Sequence, residues 1–145
     1  MAKRILLPLD RIEDAEVALS LVGEAARAGG AIVRLLHVAP VPESVVSPEG
    51  RVVAYADQET ERLQQQHLER LQMAQHQLTG VVSECVVRFG DPTEEILQEA
   101  DTFDADLIAV VTRCRSGVSR TILGSVAEQV LRKARPAVML VRPAA

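Results

Sequence analysis

Residues 5–38 read ILLPLDRIEDAEVALSLVGEAARAGGAIVRLLHV, and this stretch decides the fold. It opens with Ile5, Leu6, Leu7 and Leu9, an apolar run that stops at Asp10, and it closes with a second apolar run over 31–38. Both are too short for an independent helix and read as buried strands. Between them Ala15, Ala18, Leu19, Val22, Ala25 and Ala26 recur at helical spacing, and Gly29-Gly30 ends that helix where a left-handed residue is easiest. Strand, helix, strand is the unit that joins parallel strands.

The pattern repeats outward from there. Residues 81–89, 105–111 and 137–141 supply three more apolar runs of strand length. Asp91-Pro92-Thr93-Glu94 is a helix start: Asp91 caps free amides, Pro92 fits the first turn and Glu94 closes a capping box, with Ile96, Leu97 and Ala100 facing the core. Ser125-Val126-Ala127-Glu128 repeats that logic for a last helix with a buried stripe of Val126, Val130, Leu131 and Ala134, ending on Arg132, Lys133 and Arg135. Strands alternating with helices predict an α/β fold: a parallel sheet covered on both faces through right-handed crossovers. A chain of 145 residues reads as one domain, 1–145. Within it 41–57, with Pro42, Pro48 and Gly50, is the longest loop. The helix after it, over 58–79, keeps a narrow apolar edge of Leu63, Leu68, Leu71, Ala74 and Leu78 while seven glutamines face outward. It reads as a solvated helix over the sheet, with a coiled-coil partner as the other reading.

Composition narrows the function classes. The chain is 48% hydrophobic but has only three aromatics, Tyr55, Phe89 and Phe103, so it suits buried aliphatic strands and not aromatic platforms for single-stranded nucleic acid. A net charge of −4 argues against nucleic acid or anionic lipid as partners. No apolar run approaches the roughly 20 residues that cross a bilayer, the first residues do not make a signal peptide, and a cytoplasmic protein is expected. Cys85 and Cys114 have no CxxC or His partner at ligand spacing, which predicts reduced thiols and no metal site. Arg113 and Arg115 would lower the pKa of Cys114, so a redox thiol stands beside the reading of a passive loop residue.

In an open parallel sheet, ligands bind beyond the carboxyl ends of the strands where strand order reverses. Three pieces fall there: Pro8-Leu9-Asp10, Val38, and 111–126, VTRCRSGVSRTILGSV. Gly124-Ser125 opens a helix, where free amides favour an anion, and Arg113, Arg115 and Arg120 add positive charge. Each piece also has a plain structural reading: Gly124-Ser125 as a cap, Asp10 capping the first helix with Glu13, the arginines as solvated surface. His37 reads as a core residue or one facing the long loop, and His67 and His76 pair with nothing evident. There is no Walker loop, no GxGxxG after the first strand, no GxSxG, and no nucleophile, base and orienter set, so no catalytic residues are assigned.

ILLPLD at 5–10, LLHV at 35–38, GDP at 90–92, ADLI at 105–108, RSG at 115–117, GSVAEQVL at 124–131 and PAVMLVR at 136–142, in this order, resemble the universal stress proteins over nearly the whole chain. The resemblance implies an open five-stranded parallel sheet of order 3-2-1-4-5 with helices on both faces, a Rossmann-like fold of the adenine nucleotide alpha hydrolase kind. It also implies a homodimer formed by antiparallel pairing of the last strands, here Ala137, Val138, Met139, Leu140 and Val141, and in one branch an ATP site with the loop G-x2-G-x9-G-[ST]. This chain has Val111-x2-Cys114-x9-Gly124-Ser125 in that register, so two of the three glycines are replaced. A β-branched Val suits poorly a position that needs positive φ or room for a ligand. Carried over residue by residue, the candidate nucleotide-binding set is Pro8, Leu9, Asp10, Val38, Val111, Arg113, Cys114, Arg115, Gly124, Ser125 and Val126. The expectation is a regulatory or binding homodimer with a degenerate, weak adenine-nucleotide pocket, acting through a protein partner. The alternative is a working sensor of ATP, with Mg, or of AMP, using Gly124 and Ser125, with slow ATP hydrolysis at most.

Overall fold

The computed structural model describes residues 2–42, 45–54, 56–112 and 124–143. In chain order the elements are β1 (Arg4–Pro8), α1 (Glu16–Gly29), β2 (Ile32–Ala39), β3 (Val45–Val46), β4 (Val52–Ala54), α2 (Ala56–Gln75), β5 (Val82–Phe89), α3 (Pro92–Phe103), β6 (Leu107–Val111), α4 (Ser125–Lys133) and β7 (Ala137–Val141). The main sheet runs β5-β2-β1-β6-β7 with every neighbouring pair parallel. Counted along the chain, its five strands stand in the order 3-2-1-4-5, as expected. Strand order reverses at β1, whose neighbours are β2 and β6.

Alternation along the strands makes two cores. Ile5, Leu7, Val33 and Leu35 face α1 and α2, where Leu19, Val22, Leu71 and Leu78 complete one cluster. Leu6, Leu36 and Ile108 face α3 and α4 and meet Ile96, Phe103 and Val130 in the other. Ile5, Leu6, Leu7, Leu35, Leu36 and Ile108 are all fully buried, each contributing about 1.5–3 kcal/mol of burial. This explains the surplus of unpunctuated aliphatics in β1 and β2: both faces of the central strands are covered.

Helix ends follow the local chemistry in two cases and depart from it in others. Gly30, at φ 67°, closes α1 by donating its N–H to Ala26 O. Asp91 caps α3, accepting from Glu94 N at 3.0 Å with Pro92 in the first turn. Asp10 and Glu13 do not cap α1, because a 3-10 turn at Ile12–Asp14 comes first and neither start has a side-chain cap. Nor does Ser125 cap α4: Gly124, at φ 90°, holds the cap position and Ser125 is already helical. Along α4, Ala127 and Val130 are buried while Leu131 is 46% exposed. Within 41–57, β3 and β4 pair as a small antiparallel ladder.

The polar helix α2 does not turn every glutamine to solvent. Gln75 is half-buried, and its amide donates to Ser83 O and Ser83 Oγ at 3.0 Å each. Its carbonyl accepts from Cys85 Sγ at 3.5 Å, tying α2 to the edge strand β5. Burial pushes the Cys85 thiol above its ordinary pKa, which disfavours the reactive thiolate. On the α3 face, Arg34 bridges Glu84 at 3.1 Å and Glu99 at 3.3 Å, while Arg88 bridges Glu95 at 3.0 Å and Glu99 at 3.6 Å. Arg34 also lies 4.1 Å from the centroid of the Phe103 ring.

Candidate functional site

A cleft of about 130 Å³ opens where strand order reverses, beyond the carboxyl ends of β2, β1 and β6 and between the amino ends of α3 and α4. Pro8, Leu9 and Asp10 line it after β1, with Arg11 and Asp14 from the following turn. Leu36 and Val38 come from β2, Pro92 and Ile96 from α3, Val110, Val111 and Thr112 from the end of β6, and Gly124, Val126 and Ala127 from the start of α4.

The structure thus brings together Pro8, Leu9, Asp10, Val38, Val111, Gly124 and Val126 of the candidate set. Ser125 is exposed in the first turn of α4 and does not line the cleft. Arg113, Cys114 and Arg115 lie outside the described residues. The sequence reading missed Leu36, Val110 and Thr112, which strand alternation could have supplied from Val38, since they share its sheet face. It also missed Pro92 and Ile96, because the register of α3 over the sheet is not written locally.

Val111 is not the strained residue that the glycine motif led us to expect. It pairs with Val141 in the regular β6–β7 ladder, and Asp104 is the only non-glycine residue at positive φ among those described. Its side chain packs with the α1-side cluster, on the opposite sheet face from Val38 and Val110. The next residue, Thr112, donates its N–H to Val141 O at 2.8 Å.

The β1 end of the cleft is braced from behind. Leu9 N donates to Leu36 O at 2.7 Å, and Leu9 O lies 2.8 Å from His37 Nδ1, which places a proton on that nitrogen. The His37 ring packs against His67 of α2, centroids 4.4 Å apart, so His67 is paired after all. Burial, then His37, then Arg70 hold the His67 pKa below its ordinary value. Arg70 in turn reaches Glu13 at 3.6 Å. Through these contacts α2 positions the turn that carries Asp10 and Arg11. Among the described residues no cluster of three His, Cys, Asp or Glu is placed to hold a metal, and no helix is long and apolar enough to cross a membrane.

The model of the universal stress protein family matches residues 1–142. The chain belongs to the universal stress protein family. A universal stress protein of Thermus aquaticus is 33% identical over 144 residues, covering 98% of this chain and all of the relative. One from Methanocaldococcus jannaschii is 26% identical, and its solved structure superposes with a TM-score of 0.79 over 99% of this chain and 97% of that one. An Arabidopsis thaliana member solved with AMP bound is 22% identical, with a TM-score of 0.64 over 99% of this chain and 93% of its own, and at that identity the likeness shows the fold alone. Other members of the fold have been solved in complex with dAMP and with cAMP. In this universal stress protein the residues that carried the sequence resemblance, ILLPLD, LLHV and GSVAEQVL, supply the walls of the cleft from three separate elements.

Proposed function

We propose that this universal stress protein is a cytoplasmic, non-enzymatic regulatory homodimer that binds an adenine nucleotide in the cleft and acts through a protein partner. The observation that carries this reading is the meeting of Asp10, Val38 and the amino end of α4, which has no side-chain cap among the described residues, at one switch point of the sheet. The nucleotides found with other members of the fold support the ligand class. With no aromatic side chain among the described residues that line the cleft, adenine rests on the backbone and side chain of Val38, and Asp10 accepts from sugar hydroxyls. The amides at Gly124 and Ser125 receive phosphate. β7 is an edge strand of apolar residues, an aggregation liability unless covered, and pairing with the same strand of a second copy covers it.

In this reading the nucleotide is weakly held because motif glycines are replaced, and with the Val111 side chain turned to the α1-side core the burden falls on Cys114. A second reading, a working ATP or AMP sensor, is favoured by the position of Val111, whose extended backbone asks for no glycine and whose side chain turns to the α1-side core. Both readings are tested on the purified chain. With no Trp and one Tyr the protein absorbs little in the near ultraviolet, so a retained nucleotide dominates the spectrum. A sensor retains nucleotide or gains thermal stability with micromolar AMP or ATP and Mg²⁺; the weak pocket gains it only near millimolar ligand. No stabilisation by either nucleotide at millimolar concentration overturns both. Sedimentation at micromolar concentration reads the dimer, and a monomer there removes that part of the proposal.

A further inference from the structure

Thr112 is 4% exposed, it lines the cleft, and its Oγ1 has no hydrogen-bond partner among the described residues. Its backbone N–H is already satisfied by Val141 O, so the unmet demand belongs to the side chain alone. Buried hydroxyls are nearly always bonded, and an orphan on a residue that lines a cleft marks a place where something else supplies the partner.

Register tells which part of a ligand that would be. Leu6 stands level with Arg34 on one side and with Ile108 on the other. Four residues further along each chain, Val38, Asp10 and Thr112 end the three segments in one row. Val38 and Thr112 share the face that carries Leu36 and Val110, two interstrand spacings or about 10 Å apart. The Val38 end is aliphatic, with Leu36 beside it and Ile96 above. The Thr112 end adjoins α4, a nine-residue helix whose cap position is Gly124 at φ 90°, with no side-chain cap among the described residues, and whose first-turn amides favour an anion.

We propose that Thr112 is a specificity-determining residue of the cleft: its hydroxyl donates to a phosphate oxygen of a nucleoside phosphate whose base lies over Val38, and so separates nucleotide from nucleoside. The inference rests on the nucleotide-binding reading above. It adds a residue that the glycine motif does not include, and a role distinct from that of the α4 amides.

Calorimetric titration of the full chain with AMP and with adenosine, on the unmodified protein, Thr112→Val and Thr112→Ser, tests it. The isosteric Thr112→Val should lose about tenfold or more in AMP affinity, the loss of one hydrogen bond to a charged group, while adenosine affinity stays within about twofold. Thr112→Ser should keep AMP affinity, and ligand-free Thr112→Val should melt no lower than the unmodified chain because its hydroxyl bonds to none of the described residues. Unchanged AMP affinity in Thr112→Val, equal losses for AMP and adenosine, or a lowered melting point without ligand each overturn the role of Thr112 while the nucleotide reading stands. Absence of AMP binding by the unmodified chain overturns both, and is seen before any variant is made.

Discussion

Val111→Gly restores the first glycine of the nucleotide loop, and the structure predicts that it damages the fold without helping the ligand. Val111 is half-buried in the β6–β7 ladder opposite Val141, and its side chain belongs to the α1-side cluster with Leu9 and Ala109. Removing a half-buried Val side chain forfeits about 1 kcal/mol of burial. Glycine in a strand interior adds about 0.5–1 kcal/mol of backbone entropy, for an expected loss near 2 kcal/mol. Val111→Ala, which keeps the backbone restriction, should lose about half as much. Urea denaturation reads both losses, and titration with AMP should give affinities for Val111→Gly and the unmodified chain within about twofold of one another, about 0.4 kcal/mol. A tenfold gain in affinity would mean that the side chain obstructs the ligand, which refutes the reasoning from strand alternation. Unchanged stability would refute the packing role.

Glu99 is the shared carboxylate between Arg34 and Arg88, with its side chain only 6% exposed. Glu99→Ala should cost about 3 kcal/mol in denaturant unfolding, the lower end for a broken buried pair, because Arg34 keeps Glu84 and Arg88 keeps Glu95; a loss below about 1 kcal/mol would contradict a load shared in this way. Since the folded state holds the His67 pKa below its ordinary 6.5, the unfolded chain takes up more protons there. Its contribution to stability is therefore full above that ordinary value and is lost as pH falls from it through the folded pKa. His67→Gln should flatten that part of the stability profile, and an unchanged slope between the two proteins would assign it to other groups.

The parts of this fold legible in the chain are those set by contacts close in sequence. β1, α1 and β2 follow from aliphatic runs and one helical period closed by Gly30, and α3 follows from Asp91-Pro92. Where geometry depends on the register of distant elements, local reading went astray. His37 and His67 lie 30 positions apart and meet only because α2 crosses the end of β2. Gln75 has the polarity of a surface residue but occupies the inward row above Ser83 and Cys85. Ala127 faces the core and Leu131 solvent because the packing of α4 against distant elements, not its own apolar pattern, sets its buried face. At the cleft, the residues carried over from the family motif came together wherever they are described, apart from Ser125. Thr112, one of the x positions of that motif, was invisible until the β2, β1 and β6 ends could be set level.

Amide chemical shifts followed by NMR during titration of the ¹⁵N-labelled chain with AMP test the account most directly. The nucleotide-cleft reading predicts saturable shifts at Asp10, Val38, Thr112 and Gly124, from all three strand ends and the start of α4, with β5 and the outer turns of α2 unmoved. Shifts confined to another surface, or none at millimolar AMP, would contradict it.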